Sequence, residues 1–172
     1  MKTYVSAVSL LSRLCGAAAA AMLLAAVLVV CHMVVVRYLL QESTYWQTEL
    51  VTYLLIASTF IGSPYVLLTR GHVNVDLLPI YLGPRARMAL AMFASLLALG
   101  FCLVAAWTGY ELWREAWDKR WVSETLWEVR MWIPYATLPL GFGILSLQYV
   151  ADILSLIGGH EAPFGIAPEV AE

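Results

Sequence analysis

Charge is what this sequence has least of. Lys, Arg, Asp and Glu together make up 13% of the 172 residues, about half the share in an average soluble domain. A chain with 62% apolar residues and a mean hydropathy of +0.77 cannot cover a water-soluble surface, so lipid is the expected solvent. The net charge of −2 gives no ground for nucleic-acid binding. Cysteine is also scarce. Cys15, Cys31 and Cys102 lie in or at the start of apolar runs and form no CxxC pair, which excludes a disulfide or zinc framework and leaves small buried hydrophobes as the reading. Histidine is scarcer in the places that matter. A b-type haem needs two facing histidines in the bilayer, and only His32 lies deep in an apolar run. No cofactor is therefore expected.

What the sequence has instead is long apolar runs. About 20 such residues cross a bilayer, and residues 14–36, 50–69, 88–110 and 131–151 each qualify. The expected fold is an all-α integral membrane protein with four spans in one domain, residues 1–157, followed by a flexible tail, 158–172. The tail, rich in Gly, Pro and Glu, matches no packed element. The first run is too long for the apolar region of a signal peptide, and the residues before Cys15 do not suit lipoprotein cleavage. An uncleaved signal-anchor is expected. Pro64 removes a backbone donor in the second span and crowds the carbonyl of Phe60, which predicts a kink. Pro134 falls near the start of the fourth span, where it is tolerated, and Pro139 bends that span.

Residues 111–130, ELWREAWDKRWVSETLWEVR, join the third and fourth spans. Tyr110, Trp113, Trp117 and Trp121 recur every three or four residues and share one helical face. Arg114–Asp118 and Glu115–Lys119 have the spacing of favourable pairs. The pattern predicts an amphipathic, Trp-rich helical connection with Trp113, Trp117 and Trp121 at the headgroup level of the membrane lipid.

Even numbers of spans put both termini on one side. Placing that side in the cytoplasm divides the ten basic residues five and five, so the count alone does not orient the chain. The two basic residues ahead of span one, and the cluster Arg70, Arg85 and Arg87 close to two membrane ends, favour cytoplasmic termini.

His32 is the sole ionisable group deep in a span, which makes it a functional candidate, although a single carbonyl or hydroxyl partner satisfies a neutral imidazole. Arg37 ends span one and Glu49 opens span two, close enough across a short connection to form an ion pair. In LTRGHVNVDLLP, residues 68–79, Arg70, His72 and Asp76 crowd a polar turn. Gly71 suits a helix stop and Pro79 keeps Leu78 out of helical geometry. No nucleophile, metal-ligand spacing or phosphate loop accompanies the trio, so docking or capping is the expected role and catalysis is not.

Taken together, RYLLQESTYWQTELVTYLLIASTFIGSPYVLLTRGHVNVDLL resembles the signature of the small membrane subunit, the DctQ type, of tripartite ATP-independent periplasmic (TRAP) transporters. The matching positions are Arg37, Trp46, Glu49, Gly62, Arg70, His72 and Asp76, and LGPRARMAL resembles the family's following basic turn. The resemblance covers roughly residues 14–155. It implies a multi-pass protein of the bacterial inner membrane that is not an enzyme. Its implied partners are a much larger permease subunit and a periplasmic substrate-binding protein, and the transport is sodium-coupled uptake of an organic acid such as a carboxylate. In that arrangement the small subunit resembles a stator and does not bind substrate, and the matching residues become structural or subunit-interface candidates. A self-sufficient homo-oligomeric transporter, a redox membrane anchor and an accessory subunit of another complex remain as alternatives. Under the stator reading, Asp76→Ala lowers recovery of the assembled complex more than it alters substrate choice. Normal assembly with altered selectivity, measured by co-purification and uptake, is the contrary result.

Overall fold

The computed structural model describes residues 2–69 and 84–158. Its elements are α1 (Lys2–Val35), prolonged by a π-helical turn over Val36–Leu40, then α2 (Tyr45–Leu68), α3 (Pro84–Asp118), α4 (Trp132–Tyr135) and α5 (Thr137–Ile157). Four helical stretches are long and apolar enough to cross a membrane: Thr3–Leu40, Tyr45–Leu68, Arg85–Asp118 and Trp132–Ile157. This is the expected all-α architecture with longer helices than the apolar runs required. Hydropathy marks only the part that sits in hydrocarbon, while the helical ladder continues into polar sequence wherever nothing breaks it. The signature residues Arg70, His72 and Asp76 lie outside the described residues, as does the tail from Gly159 onward.

α1 lies along α2, α2 along α5, and α5 along α3. Water cannot drive these contacts in lipid, so association depends on close packing and on small residues that let backbones approach. Gly16 of α1 lies under the ring of Tyr65 from α2, with no room for a methyl group. A Cβ on Gly62 would stand 3.0 Å from that of Ala19. Between α3 and α5, a Cβ on Gly109 would meet that of Leu138 at 3.1 Å.

Among the described glycines, the closest approach to another helix's backbone is between α2 and α5. Pro64 lies inside α2 and has no N–H to give to the carbonyl of Phe60. The hydroxyl of Ser63 donates to that carbonyl at 2.8 Å. Gly141 of α5 backs onto the same group: a Cβ there would lie 2.5 Å from the Phe60 oxygen. The proline, the serine and the glycine thus act on one peptide unit. Nearby, the rings of Phe60 and Phe142 pack at 5.4 Å.

Pro139 has an effect of the expected kind. The last span is interrupted at Ala136, between α4 and α5, where Pro139 cannot donate to Tyr135. Thr137 donates its hydroxyl to the carbonyl of Pro134 at 2.7 Å. The predicted connecting helix is corrected in its second half. It continues α3 only as far as Asp118. Arg120 then adopts φ 51°, and the chain turns back on itself, with Val122 bridged to Arg130 in antiparallel fashion. Helical periodicity in the tryptophans did not reveal this reversal. Of the two expected pairs, Glu115–Lys119 forms at 2.5 Å, whereas Arg114 and Asp118 do not approach to ion-pair distance. Cys15 and Cys102 are buried as expected, but Cys31 is exposed.

Gly141→Val forces the α2–α5 backbones apart and costs about 1–3 kcal/mol. Gly143, two residues on, has open space around it, so Gly143→Ala leaves stability unchanged or slightly raised. Thermal unfolding of the two variants in detergent checks the contrast.

Candidate functional site

Glu49 is the most enclosed acidic side chain at the end of the bundle where α1 stops and α2 begins, at 8% exposure. A carboxylate there must find donors or lose much of its hydration energy uncompensated. One carboxylate oxygen accepts from the hydroxyl of Tyr53, one turn further along α2. The other accepts from the hydroxyl of Thr125, which belongs to the chain reversal after α3. Thr125 and Ser123 hydroxyls lie 3.0 Å apart; because Thr125 donates to Glu49, Ser123 donates to Thr125. The expected Arg37–Glu49 ion pair does not form. Arg37 falls in the exposed π turn, and neutral hydroxyls take up the oxygens of Glu49 without stripping a guanidinium of water. Both side chains border one cleft of about 600 Å³ at this end.

A second fastening lies beside the first. The ring of Trp46 packs between His32 of α1, at 6.1 Å, and Trp127 of the reversal, at 6.2 Å. The ionisable group that looked isolated in its span is thus half of an aromatic contact. Further along, α3 carries a continuous ladder. Trp107, Tyr110, Trp113 and Trp117 follow one another at 6.4, 5.9 and 5.9 Å, and Trp117 crosses to Trp132 at 4.8 Å, edge to face. Trp121 leaves that face beyond the helix end and packs on Tyr135 at 6.4 Å.

At the opposite end, polar side chains are satisfied inside the bundle. Ser12 of α1 is fully buried and donates to Gln148 Oε1 at 2.8 Å. Gln148, 1% exposed, donates from Nε2 to Asp152 Oδ1 at 2.8 Å. Arg87, buried on α3, also has a partner. Sequence reasoning missed this relay. Its signal was available in Gln148, a strong donor and acceptor in the middle of an apolar run, which in lipid requires a partner. Among the described residues, no three His, Cys, Asp or Glu side chains gather in a way that could hold a metal ion.

Among the described residues, the arrangement provides fastenings between helices. Residues 26–159, which contain the Glu49 clasp, the last third of α1 and all the later helices, match the family described as "Tripartite ATP-independent periplasmic transporters, DctQ component". The chain belongs to the DctQ family. It is a transporter component of the bacterial inner membrane, multi-pass, and not an enzyme. Among curated relatives of this DctQ-family chain are two proteins called C4-dicarboxylate TRAP transporter small permease protein DctQ. That of Pseudomonas aeruginosa is 24% identical over 136 residues, covering 78% of this chain and 64% of the relative. That of Vibrio cholerae is 25% identical over 158 residues, covering 75% of this chain and 68% of the relative. The chain thus spans about two thirds of the length of these relatives.

On the DctQ-type signature, the structure brings Trp46 and Glu49 together with the reversal after α3, puts Gly62 in the α1–α2 seam and leaves Arg37 exposed. Ser12 precedes the family match, yet completes the relay with Gln148. Thr125→Val keeps the shape of the side chain and removes the hydroxyl that Glu49 accepts. Amide hydrogen exchange over residues 121–130 then speeds up while α2 is unaffected; unchanged exchange would show that the clasp does not hold the reversal. Gln148→Leu takes the acceptor from Ser12 and a donor from Asp152, at a cost of about 1–3 kcal/mol, readable in the same unfolding assay.

Proposed function

We propose that this DctQ-family chain is the small permease subunit of a TRAP transporter and acts as a membrane stator beside a much larger permease subunit. The transport it serves is sodium-coupled uptake of an organic acid delivered by a periplasmic binding protein. The observation that carries the reading is the state of the bundle's polar groups. Glu49, Ser12 and Gln148 bond to other residues of this chain, and no cluster suited to a cation gathers among the described residues. Secondary transporters place substrate and ion sites near the midplane, on broken helices with polar backbone and side chains. Of the buried side-chain polar atoms among the described residues, only Gln47 Oε1 and Trp113 Nε1 lack a partner; a body whose polar groups are so largely taken up internally is suited to support, and substrate chemistry then falls to a partner.

Long apolar faces supply the other half of the support. Phe93, Leu97, Phe101 and Val104 recur along α3, each at least 60% exposed, and Leu10, Leu14, Leu24 and Leu28 do the same on α1. Lipid or a large hydrophobic partner accommodates such faces. The printed names of the two relatives make a C4-dicarboxylate the first organic acid to try. Both termini are placed in the cytoplasm, because Arg13, Arg85 and Arg87 share that end with Lys2. Arg70, His72 and Asp76 would then form a cytoplasmic turn that locks the second and third spans to each other or to the partner.

The test is to tag the chain, extract it in mild detergent and identify what co-purifies by mass spectrometry. A stoichiometric large permease is expected, with uptake in proteoliposomes only when both subunits and the binding protein are supplied. Transport by this chain alone would overturn the stator reading.

A further inference from the structure

We propose that the pocket at the end of α3 holds the phosphate group of an acidic phospholipid, gripped by Arg120 and Arg130. The pocket encloses about 530 Å³ and is bordered by Trp117, Arg120, Trp121, Val122, Arg130 and Trp132. It is formed by the chain reversal. The antiparallel bridge of Val122 to Arg130 brings together two arginines ten residues apart, and the main-chain bond from Met131 N to Trp121 O at 2.9 Å closes the same turn. Arg120 holds a left-handed backbone, φ 51°, a conformation unusual for an arginine and retained only where the surrounding structure imposes it. Here the bonds from Arg120 N to Trp117 O and Trp121 N to Ala116 O impose it.

Charge and depth select the occupant. Lys119, the neighbouring cation, is taken up by Glu115 and lies 5.9 Å over the Trp121 ring. Neither Arg120 nor Arg130 has an acidic partner among the described residues, and both are exposed. A guanidinium presents a fork of donors that matches phosphate oxygens. Trp132 begins the last membrane-crossing stretch, and Trp117 is in contact with it, so the pocket lies at the level where that stretch enters the bilayer. Tryptophan favours this level because its ring accepts both hydrocarbon and water. A small hydrated anion would satisfy the arginines and gain nothing from three indole walls. A lipid satisfies both: its phosphate meets the guanidiniums, and its glycerol and upper acyl chain meet the indoles. This inference stands apart from the stator reading and does not need a partner subunit.

The test is native mass spectrometry of the full-length chain in mild detergent, titrated with phosphatidylglycerol or phosphatidylcholine, with and without millimolar inorganic phosphate. Phosphatidylglycerol should be retained in preference to phosphatidylcholine, and inorganic phosphate should not displace it. Each arginine near a membrane surface strengthens binding of an acidic lipid by about fivefold, so R120Q/R130Q should weaken retention by roughly 25-fold. R114Q, which alters an arginine outside the pocket, should leave retention unchanged. Circular dichroism confirms the helical content of each variant; should the double glutamine variant lose helix, R120K/R130K, which keeps the charge and loses the fork, is read in its place and should retain less lipid than the unaltered chain. Equal retention by the folded double variant and the unaltered chain would overturn the proposal. So would displacement by inorganic phosphate, which would make the occupant a soluble anion.

Discussion

The bundle depends on one peptide group. Pro64 leaves the carbonyl of Phe60 without its helical donor, and lipid offers no water to replace it. Ser63 supplies the missing donor from its own helix, and Gly141 lets the backbone of α5 come up against the same oxygen. A side chain at Gly141 would separate α2 from α5. Since α5 is also the surface on which α3 packs, that separation would reach every later contact. The neighbouring seams follow the same logic: Gly16 is as tightly covered, by a side-chain ring in place of backbone, while Gly62 and Gly109 leave a few tenths of an ångström more.

The two ends of the bundle solve the same problem differently. At one end a relay of Ser12, Gln148 and Asp152 runs between α1 and α5, and each member meets the next with a direct hydrogen bond. At the other, Glu49 reaches out of α2 to a segment more than 70 residues later in the chain. Between these two groups the helices meet through glycine, alanine and aromatic packing, and the hydroxyls of Ser58, Ser63 and Ser146 donate to carbonyls of their own helices. That distribution is what the family assignment and the proposed supporting role have in common: the chain's polar groups hold the chain together.

The four spans were legible because hydrocarbon thickness imposes a length of apolar sequence that chance rarely produces. The effect of Pro64 on the Phe60 carbonyl and the interruption ahead of Pro139 were legible for an equally local reason, since a missing N–H has its effect one turn away. The signature residues Trp46 and Glu49 stood out as a pattern, but what they touch did not. The Arg37–Glu49 pair was the natural guess from opposite charges at adjoining helix ends; the actual donors, Tyr53 and Thr125, are neutral, and one of them is remote in sequence. The reversal after Asp118 was hidden for a related reason. Trp121 keeps the helical spacing of Trp113 and Trp117, yet the turn is set by main-chain bonds and by Arg120's backbone, neither of which leaves a periodic trace.

The choice of neutral donors at Glu49 has a consequence for the chain's surroundings. Dissolved ions weaken attraction between opposite charges by gathering around each of them, and the exposed Glu115–Lys119 pair is open to that effect. A carboxylate held by hydroxyls from Tyr53 and Thr125, and largely buried, has no bonded countercharge for ions to mask. The fold-back of the chain over α2 therefore depends less on the ionic strength of the fluid that bathes it than an ion pair at that place would.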